Sequence, residues 1–374
     1  MKVALVAPPW YRVPPRAYGG IESLVAGLAD GLAARGPEVL LVAAGPSSTL
    51  ATTTRQTFDE AAETSLGDES ISLLHGLHVE DALHDFAPDV VHDHTLPGLL
   101  AARRRPWPTI ATAHGPVVGG YGELLERGSR DVAMVAISSS QRGTAPQVRW
   151  HSVVHNGVPV AAYPFERTKK DRLVFLGRMH PDKGVVEAID VAERAGVPLL
   201  IAARMHGDEE EAYFREMVKP RLTSTIEYAG ELSFDDKTRE LATARALLFP
   251  LQWREPYGLV VAEAQACGTP VLSLRRGAIP ELVREGITGF LGEHHLDLVP
   301  LVERVGSLSP DDCRTFARRH LDISRTVKRY ESVFADVCGT AQTTQPRRIP
   351  QPTTLVDLRA TERDGHRLTT GGAS

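Results

Sequence analysis

Two carboxylates, Glu255 and Glu263, flank the run Pro256-Tyr257-Gly258-Leu259-Val260-Val261-Ala262, and the stretch ends in Gly268-Thr269-Pro270. Upstream, Ala246-Leu247-Leu248-Phe249 is a short apolar run closed by Pro250, the pattern of a buried strand. Downstream, Gly268 and Pro270 form a helix stop. The spacing therefore predicts a helix from about Tyr257 to Cys267, with Pro256 in its first turn, where a missing N–H costs nothing. The free amides of Tyr257, Gly258 and Leu259 would open that helix, and with the positive end of its dipole they would attract an anion. Gly258, lacking a Cβ, allows a ligand close to the backbone. Glu255 would stand just outside the helix beside the anion. Glu263 shares a stripe with Leu259, Ala262 and Ala266 and would point inward. A buried carboxylate needs several hydrogen bonds, and a ligand rich in hydroxyls beside a phosphate would supply them at both places. On spacing alone a plainer reading stands beside this one, with Glu255 a helix cap and Glu263 a solvated helix residue.

Three further stretches carry chemistry. Phe175-Leu176-Gly177-Arg178-Met179-His180-Pro181-Asp182-Lys183-Gly184 follows a strand and opens a helix. A tight turn at Pro181-Asp182 would bring Arg178 and Lys183 together, and two cations beside a helix N-terminus suit a diphosphate. The segment is not a Walker A loop, which requires Gly before the Lys and Ser or Thr after it; solvated surface cations are the alternative. Tyr18-Gly19-Gly20 lies between the first strand and the first helix, another amide-lined approach or a plain tight turn. It is not Gly-x-Gly-x-x-Gly, so no NAD site follows. Trp10, Tyr11 and Tyr18 in that loop either stack on the flat faces of a ligand or pack the loop onto its lobe. His114 ends the strand Thr109–Ala113, where an open α/β sheet places ligands. His92-Asp93-His94 ends another strand, where His92 and His94 could share a face. A metal on His92 and His94 would need a third ligand, which the sequence does not offer.

Sixteen consecutive positions, Glu255 to Pro270, resemble the signature of the family 4 glycosyltransferases, and the Gly177-Arg178…Lys183-Gly184 and Gly19-Gly20 segments resemble that family's in the same order. The resemblance runs from about Lys2 to Val337. It implies the GT-B fold: two Rossmann-like, doubly wound α/β lobes facing a central cleft, with the last helix crossing back onto the first lobe. It also implies a retaining transfer from a nucleotide-diphosphate sugar to a hydroxyl acceptor, with Trp10, Tyr11, Tyr18 and His92 expected on the acceptor side of the cleft. Residue by residue, it implies that Glu255 and His114 meet the transferred sugar near its anomeric centre. Gly19, Gly20, Arg178, Lys183 and the amides of Tyr257, Gly258, Leu259 and Val260 would hold the diphosphate and sugar, and Glu263 the ribose hydroxyls. Asn156-Gly157-Val158 resembles the family segment that closes the first lobe. The sequence contains no Asp-x-Asp pair, so no metal and no cofactor is expected, and the diphosphate charge would meet Arg, Lys and amides. A nucleotide-sugar epimerase, a GT-B phosphorylase and a non-catalytic nucleotide-sugar-binding partner are the alternatives; the phosphorylase would need a pyridoxal-phosphate lysine, for which no signature is present.

The elements that must position these residues follow from composition and periodicity. A chain of 374 residues exceeds one ordinary core. A net charge of -5 with 42% hydrophobic residues excludes a basic nucleic-acid binder and a chain disordered throughout. Three widely spaced cysteines suggest neither a disulfide framework nor zinc, and a cytoplasmic setting is expected. No apolar run reaches the ~18 residues of a membrane span. Strands are expected at Lys2–Ala7, Glu38–Ala44, Asp89–His92, Thr109–Ala113, Val132–Ile137 and Val153–His155. A helix carries Ile21, Leu24, Val25, Leu28 and Leu32, and Pro46–Ser70 reads as loop. After a polar linker, Pro164 to Asp171, alternation restarts. Strands are expected at Arg172–Leu176, Leu199–Ala203, Ile226–Tyr228, Ala246–Phe249 and Val271–Leu274, with helices at Val185–Ala195, Glu209–Val218 and Asp235–Ala244. The expected units are 1–163 with the helix 323–338, then 164–322, then a disordered tail over 339–374.

Overall fold

The computed structural model describes residues 1–343. Two parallel sheets, each built by β-α-β alternation, form its frame. The first contains β1 Lys2–Val6, β2 Glu38–Ala43, β3 Thr53–Gln56, β4 Val90–Asp93, β5 Thr109–Ala113, β6 Ala133–Ala136 and β7 Trp150–Val153, in the spatial order β3-β2-β1-β4-β5-β6-β7. The second contains β8 Leu173–Arg178, β9 Leu199–Arg204, β10 Ile226–Gly230, β11 Ala246–Phe249, β12 Val271–Leu274 and β13 Gly289–Gly292, in the order β10-β9-β8-β11-β12-β13. Both orders reverse beside the first strand of their sheet, at β1/β4 and β8/β11. Such switch points open a crevice at the carboxyl ends of the strands, where ligands of open α/β sheets bind.

The central strands are buried on both faces, which is why they read as continuous apolar runs: Val3 to Ala7, Val39 to Ala44 and Ala246 to Phe249 are all enclosed. Strands without such runs escaped the sequence pattern. β3 is Thr-Thr-Arg-Gln at a sheet edge, with its last three residues exposed, so the stretch Pro46–Ser70 expected as loop contains a strand. β13 is Gly-Phe-Leu-Gly, at the opposite edge of the second sheet. β7 covers Trp150–Val153 rather than Val153–His155, because the chain leaves the sheet before His155 to reach the second lobe. The helix expected over Glu209–Val218 is Gly207–Tyr213 followed by a wider π turn, Phe214–Val218.

The long helix Ile323–Thr343 returns to the first lobe. It lies on the helix Gly20–Ala33 so closely that a Cβ on Gly27 would stand 2.8 Å from Ile323 and one on Gly31 2.5 Å from Val327. Val327, Tyr330, Val333 and Phe334 complete the first lobe's core against Val3, Leu5, Leu28 and Leu32. This helix continues through Thr343, so the tail expected from Gly339 does not start there; the rest of that expectation lies outside the described residues.

Candidate active site

Leu259–Ala266 is the observed helix, shorter than predicted, because Gly258 takes the left-handed conformation (φ 96) and caps it. Pro256 therefore lies outside the first turn, and the free amides that open the helix are those of Leu259 and Val260. Tyr257 lines the cleft with its hydroxyl turned away to the first lobe. It is buried, and its hydroxyl donates to the Asn156 carbonyl of the first lobe. Nearby, the Ser138 hydroxyl donates to the Pro256 carbonyl at 2.7 Å, and the amides of Ser139 and Ser140 donate to Glu281 at 2.9 and 2.7 Å. These contacts join the lobes directly behind the anion-attracting turn.

A cleft of about 550 Å³ runs between the lobes. On its second-lobe wall lie Arg178, Lys183, Glu255, Gly258, Leu259, Val260 and Glu263; facing them are Trp10, Tyr18, Gly19, Gly20 and His114. The two helix N-termini meet across it: a Cβ on Gly20 would stand 3.0 Å from Leu259 Cδ1. Lys183 Nζ donates to Glu255 Oε2 at 2.5 Å, and the Trp253 indole donates to the same oxygen at 3.1 Å. Arg178 donates to Glu210 at 2.9 Å. Glu263 accepts from Lys237 at 2.8 Å and from the Tyr163 hydroxyl at 3.1 Å. Glu263 is thus turned inward and satisfied by partners that spacing did not reveal. Lys237, Tyr163 and Trp253 were missed because each comes from a different element and none belongs to a motif.

His114 sits at the cleft with its Nε2 2.8 Å from His94 Nδ1. Burial holds the His114 imidazole down at about 4 and His94 well below its usual value. His92 corrects the sequence reading. It is fully enclosed and does not line the cleft; its Nε2 pairs with the Thr112 hydroxyl at 2.8 Å, and that hydroxyl pairs with Tyr330 at 2.8 Å. Strand alternation turns it into the core under the returning helix, and burial lowers it to about 3. Among the described residues no group of three or more His, Cys, Asp and Glu is arranged to hold a metal ion.

Tyr11 is nearly enclosed, and its hydroxyl accepts from the Arg204 guanidinium of the second lobe. Arg204 also lies over the Tyr11 and Tyr18 rings, at 5.3 and 5.1 Å. The loop aromatics therefore hold an arginine across the cleft, which Trp10, Tyr11 and Tyr18 all line. Glu22, one turn into the helix that Gly19 caps, also lines the cleft. It is 2% exposed, and burial pushes its carboxyl up to about 8. No sequence motif marked it.

Known families match along nearly the whole length of this arrangement. Residues 18–161 match "Glycosyltransferase Family 4", and residues 163–319 match "Glycosyl transferases group 1". The chain belongs to glycosyltransferase family 4. A glycogen synthase of Mycobacterium tuberculosis is 26% identical over 77% of this chain and 81% of its own. The structure of AviGT4, a glycosyltransferase of avilamycin A biosynthesis, superposes with a TM-score of 0.70 at 27% identity, covering 90% of this chain and 98% of its own. The fold is also that of Anabaena HepE, seen in complex with UDP and glucose, with a TM-score of 0.70 at 16% identity over 90% of this chain and all of HepE. This glycosyltransferase therefore has the GT-B architecture, and its cleft is the one between the lobes. Among the described residues no helix is long and apolar enough to cross a membrane.

Proposed function

We propose that this glycosyltransferase moves a hexose from a UDP- or GDP-linked donor to a hydroxyl acceptor, with retention of anomeric configuration and without a metal ion. The observation that carries the reading is the meeting, in one cleft, of Arg178, Lys183 and the free amides of Leu259 and Val260 with Glu255 on one wall and His114 on the other. Two cations and a helix N-terminus match a diphosphate. Glu263, one turn further along the helix, suits the ribose hydroxyls. HepE, of the same fold, binds UDP and glucose, which supports a nucleotide-sugar donor.

In the proposed reaction the acceptor hydroxyl approaches the anomeric carbon from the face the diphosphate is leaving. The bond from that carbon to the diphosphate oxygen breaks, the bond to the acceptor oxygen forms, and the acceptor proton passes to the departing phosphate. Glu255, engaged by Lys183 and Trp253, acts by orienting the sugar and shaping the field rather than as a nucleophile. Charge stabilisation then falls to Arg178, Lys183 and the amides, which are fixed before reaction begins.

A panel of nucleotide sugars with hydroxyl acceptors, run with and without EDTA, tests this. Product should form in both, and its anomeric configuration, read by NMR, should be that of the donor. Arg178→Ala should weaken nucleotide-diphosphate binding by roughly 1.5–3 kcal/mol. Strict dependence on a divalent ion rejects the metal-free reading. Turnover of the nucleotide sugar with no acceptor consumed would favour an epimerase, and nucleotide-sugar binding without turnover a non-catalytic partner.

A further inference from the structure

The helices Glu69–Phe86 and Leu96–Ala101 lead from β3 to β4 and from β4 to β5. Both steps cross the sheet in the same direction, so right-handed crossovers lay both helices on one face, running parallel. They touch where a Cβ on Gly76 would stand 2.9 Å from Pro97. On the first, Leu73 and Leu77 are one turn apart; on the second, Leu96 and Leu100 are. Measured around each helix from the Gly76–Pro97 contact, the two pairs turn in opposite senses. Between parallel neighbours that puts both pairs on the same outward side. All four are exposed, Leu77 and Leu100 to about two thirds (65% and 66%), and Leu74 is exposed beside them.

The stripe begins at the cleft. Leu66, in the turn before the longer helix, lines the cleft itself and is exposed. Helices of a parallel sheet start at the carboxyl ends of the strands, so Leu73, Leu74 and Leu77 occupy the cleft-proximal half of theirs. Val118, exposed in the loop that leaves β5 through His114, extends the rim. Apolar surface of this extent, continuous with a site, marks contact with an apolar partner. Arg103 and Arg104 follow Leu100 within about one turn, and Arg130 lies on the neighbouring turn after the helix Gly119–Gly128. All three are exposed, and among the described residues none forms an ion pair. The acidic groups on this flank are Asp68 and Glu69 at the helix start, Glu80 tied to Arg105, Glu123 tied to Arg127, Glu126 and Asp131 on either side of Arg130, and Asp81 and Asp85 in the half of their helix distant from the cleft.

We propose that this flank of the first lobe docks on an anionic lipid surface, the leucines entering the headgroup boundary and Arg103, Arg104 and Arg130 meeting lipid phosphates. The acceptor hydroxyl then reaches the cleft from the membrane side, so the acceptor is an amphiphile anchored in lipid; that last step rests on the transferase reading above. Apolar area plus cationic charge is what binds a peripheral protein to such a surface.

The test is co-sedimentation of the full chain with phosphatidylcholine vesicles, with and without phosphatidylglycerol, beside calorimetry with UDP and GDP. Binding should appear with the anionic vesicles and weaken with salt. The Leu73→Ser/Leu77→Ser variant, and Leu100→Ser separately, should each lower vesicle binding about tenfold or more. Arg103→Glu/Arg104→Glu should abolish the preference for anionic lipid. All should bind nucleotide as the wild type does, which shows that they fold. Absence of vesicle binding overturns the proposal, as does binding indifferent to the leucines. So does a wild-type dimer that the leucine variants dissociate, because a second copy then covers the face. Failure to bind either nucleotide would sink the donor reading without touching the vesicle result.

Discussion

Lys183 Nζ and Glu255 Oε2 stand 2.5 Å apart, with the two side chains only 14% and 13% exposed. The cation assigned to the diphosphate and the carboxylate assigned to the sugar are thus partners before any ligand binds. Glu255→Gln leaves Lys183 with a free donor, so the variant should bind nucleoside diphosphate as tightly as the wild type while its turnover falls about 10²-fold. Lys183→Ala leaves a partly buried carboxylate without its counter-charge in a cleft that must accept an anion. Binding should weaken by roughly 3 kcal/mol, and adding Glu255→Gln should restore part of it. Calorimetry on the three variants checks the sign. Equal losses in Lys183→Ala and the double variant would show that the pair is not coupled.

His114 and His94 share one hydrogen bond, and His94 Nε2 is buried with no partner among the described residues. A buried orphan N–H is the costlier defect, so His94 carries its proton on Nδ1 and donates it to His114 Nε2. His114 is left with Nδ1–H as its donor. Both rings are neutral at ordinary pH, since burial keeps His114 at about 4. Turnover should show no histidine titration between about pH 5 and 8. His114→Ala should lose about 10²-fold in turnover with nucleotide binding retained. Imidazole ¹⁵N shifts should report the Nδ1–H form of His114 and lose that bias in His94→Ala. A His114→Ala enzyme with wild-type turnover would make His114 a core residue only.

Glu263 should act on the nucleoside half alone. Glu263→Ala removes the acceptor shared by Lys237 and Tyr163, and free UDP or GDP should bind more weakly by about 1.5–3 kcal/mol. Unchanged affinity in a folded variant would remove Glu263 from the ribose site.

Glu22 makes stability depend on pH in an unusual direction for a carboxylate. Folded, it holds its proton up to about 8; its ordinary value is 4.5. The folded state therefore binds more protons between those values. The stabilising contribution is complete below about 4.5 and is lost as pH rises through about 8. Glu22→Gln cannot ionise, so its stability relative to the wild type should rise across that window, by more than about 2 kcal/mol in total. Denaturant unfolding of both proteins at the two ends of the window measures it, and a constant difference would show that Glu22 is charged throughout.

What the sequence determined by itself was whatever short range decides. The central strands could be read because burial on both faces demands unbroken apolar runs, and Val185–Ala195 because its apolar positions recur at helical spacing and Gly196 ends it. The motif residues Arg178, Lys183, Glu255, Glu263, Gly20 and His114 could be assigned to one cleft because strand ends and helix starts of parallel sheets face the same way. The edge strands β3 and β13 were not legible: β3 is a largely exposed Thr-Thr-Arg-Gln run, and β13, though buried, is only Gly-Phe-Leu-Gly, so neither carries alternation or a long apolar run. Tertiary structure alone decided which side chains finish the site. His92 went into the core because the helix Ile323–Thr343 returned over it, bringing Tyr330 to within hydrogen-bond reach of Thr112. Tyr257 turned to bridge the lobes because Gly258 started the helix two residues late. Lys237, Tyr163, Arg204 and Glu22 reached the cleft from elements far apart in the chain, and their burial and charge pairing exist only once the two lobes have met.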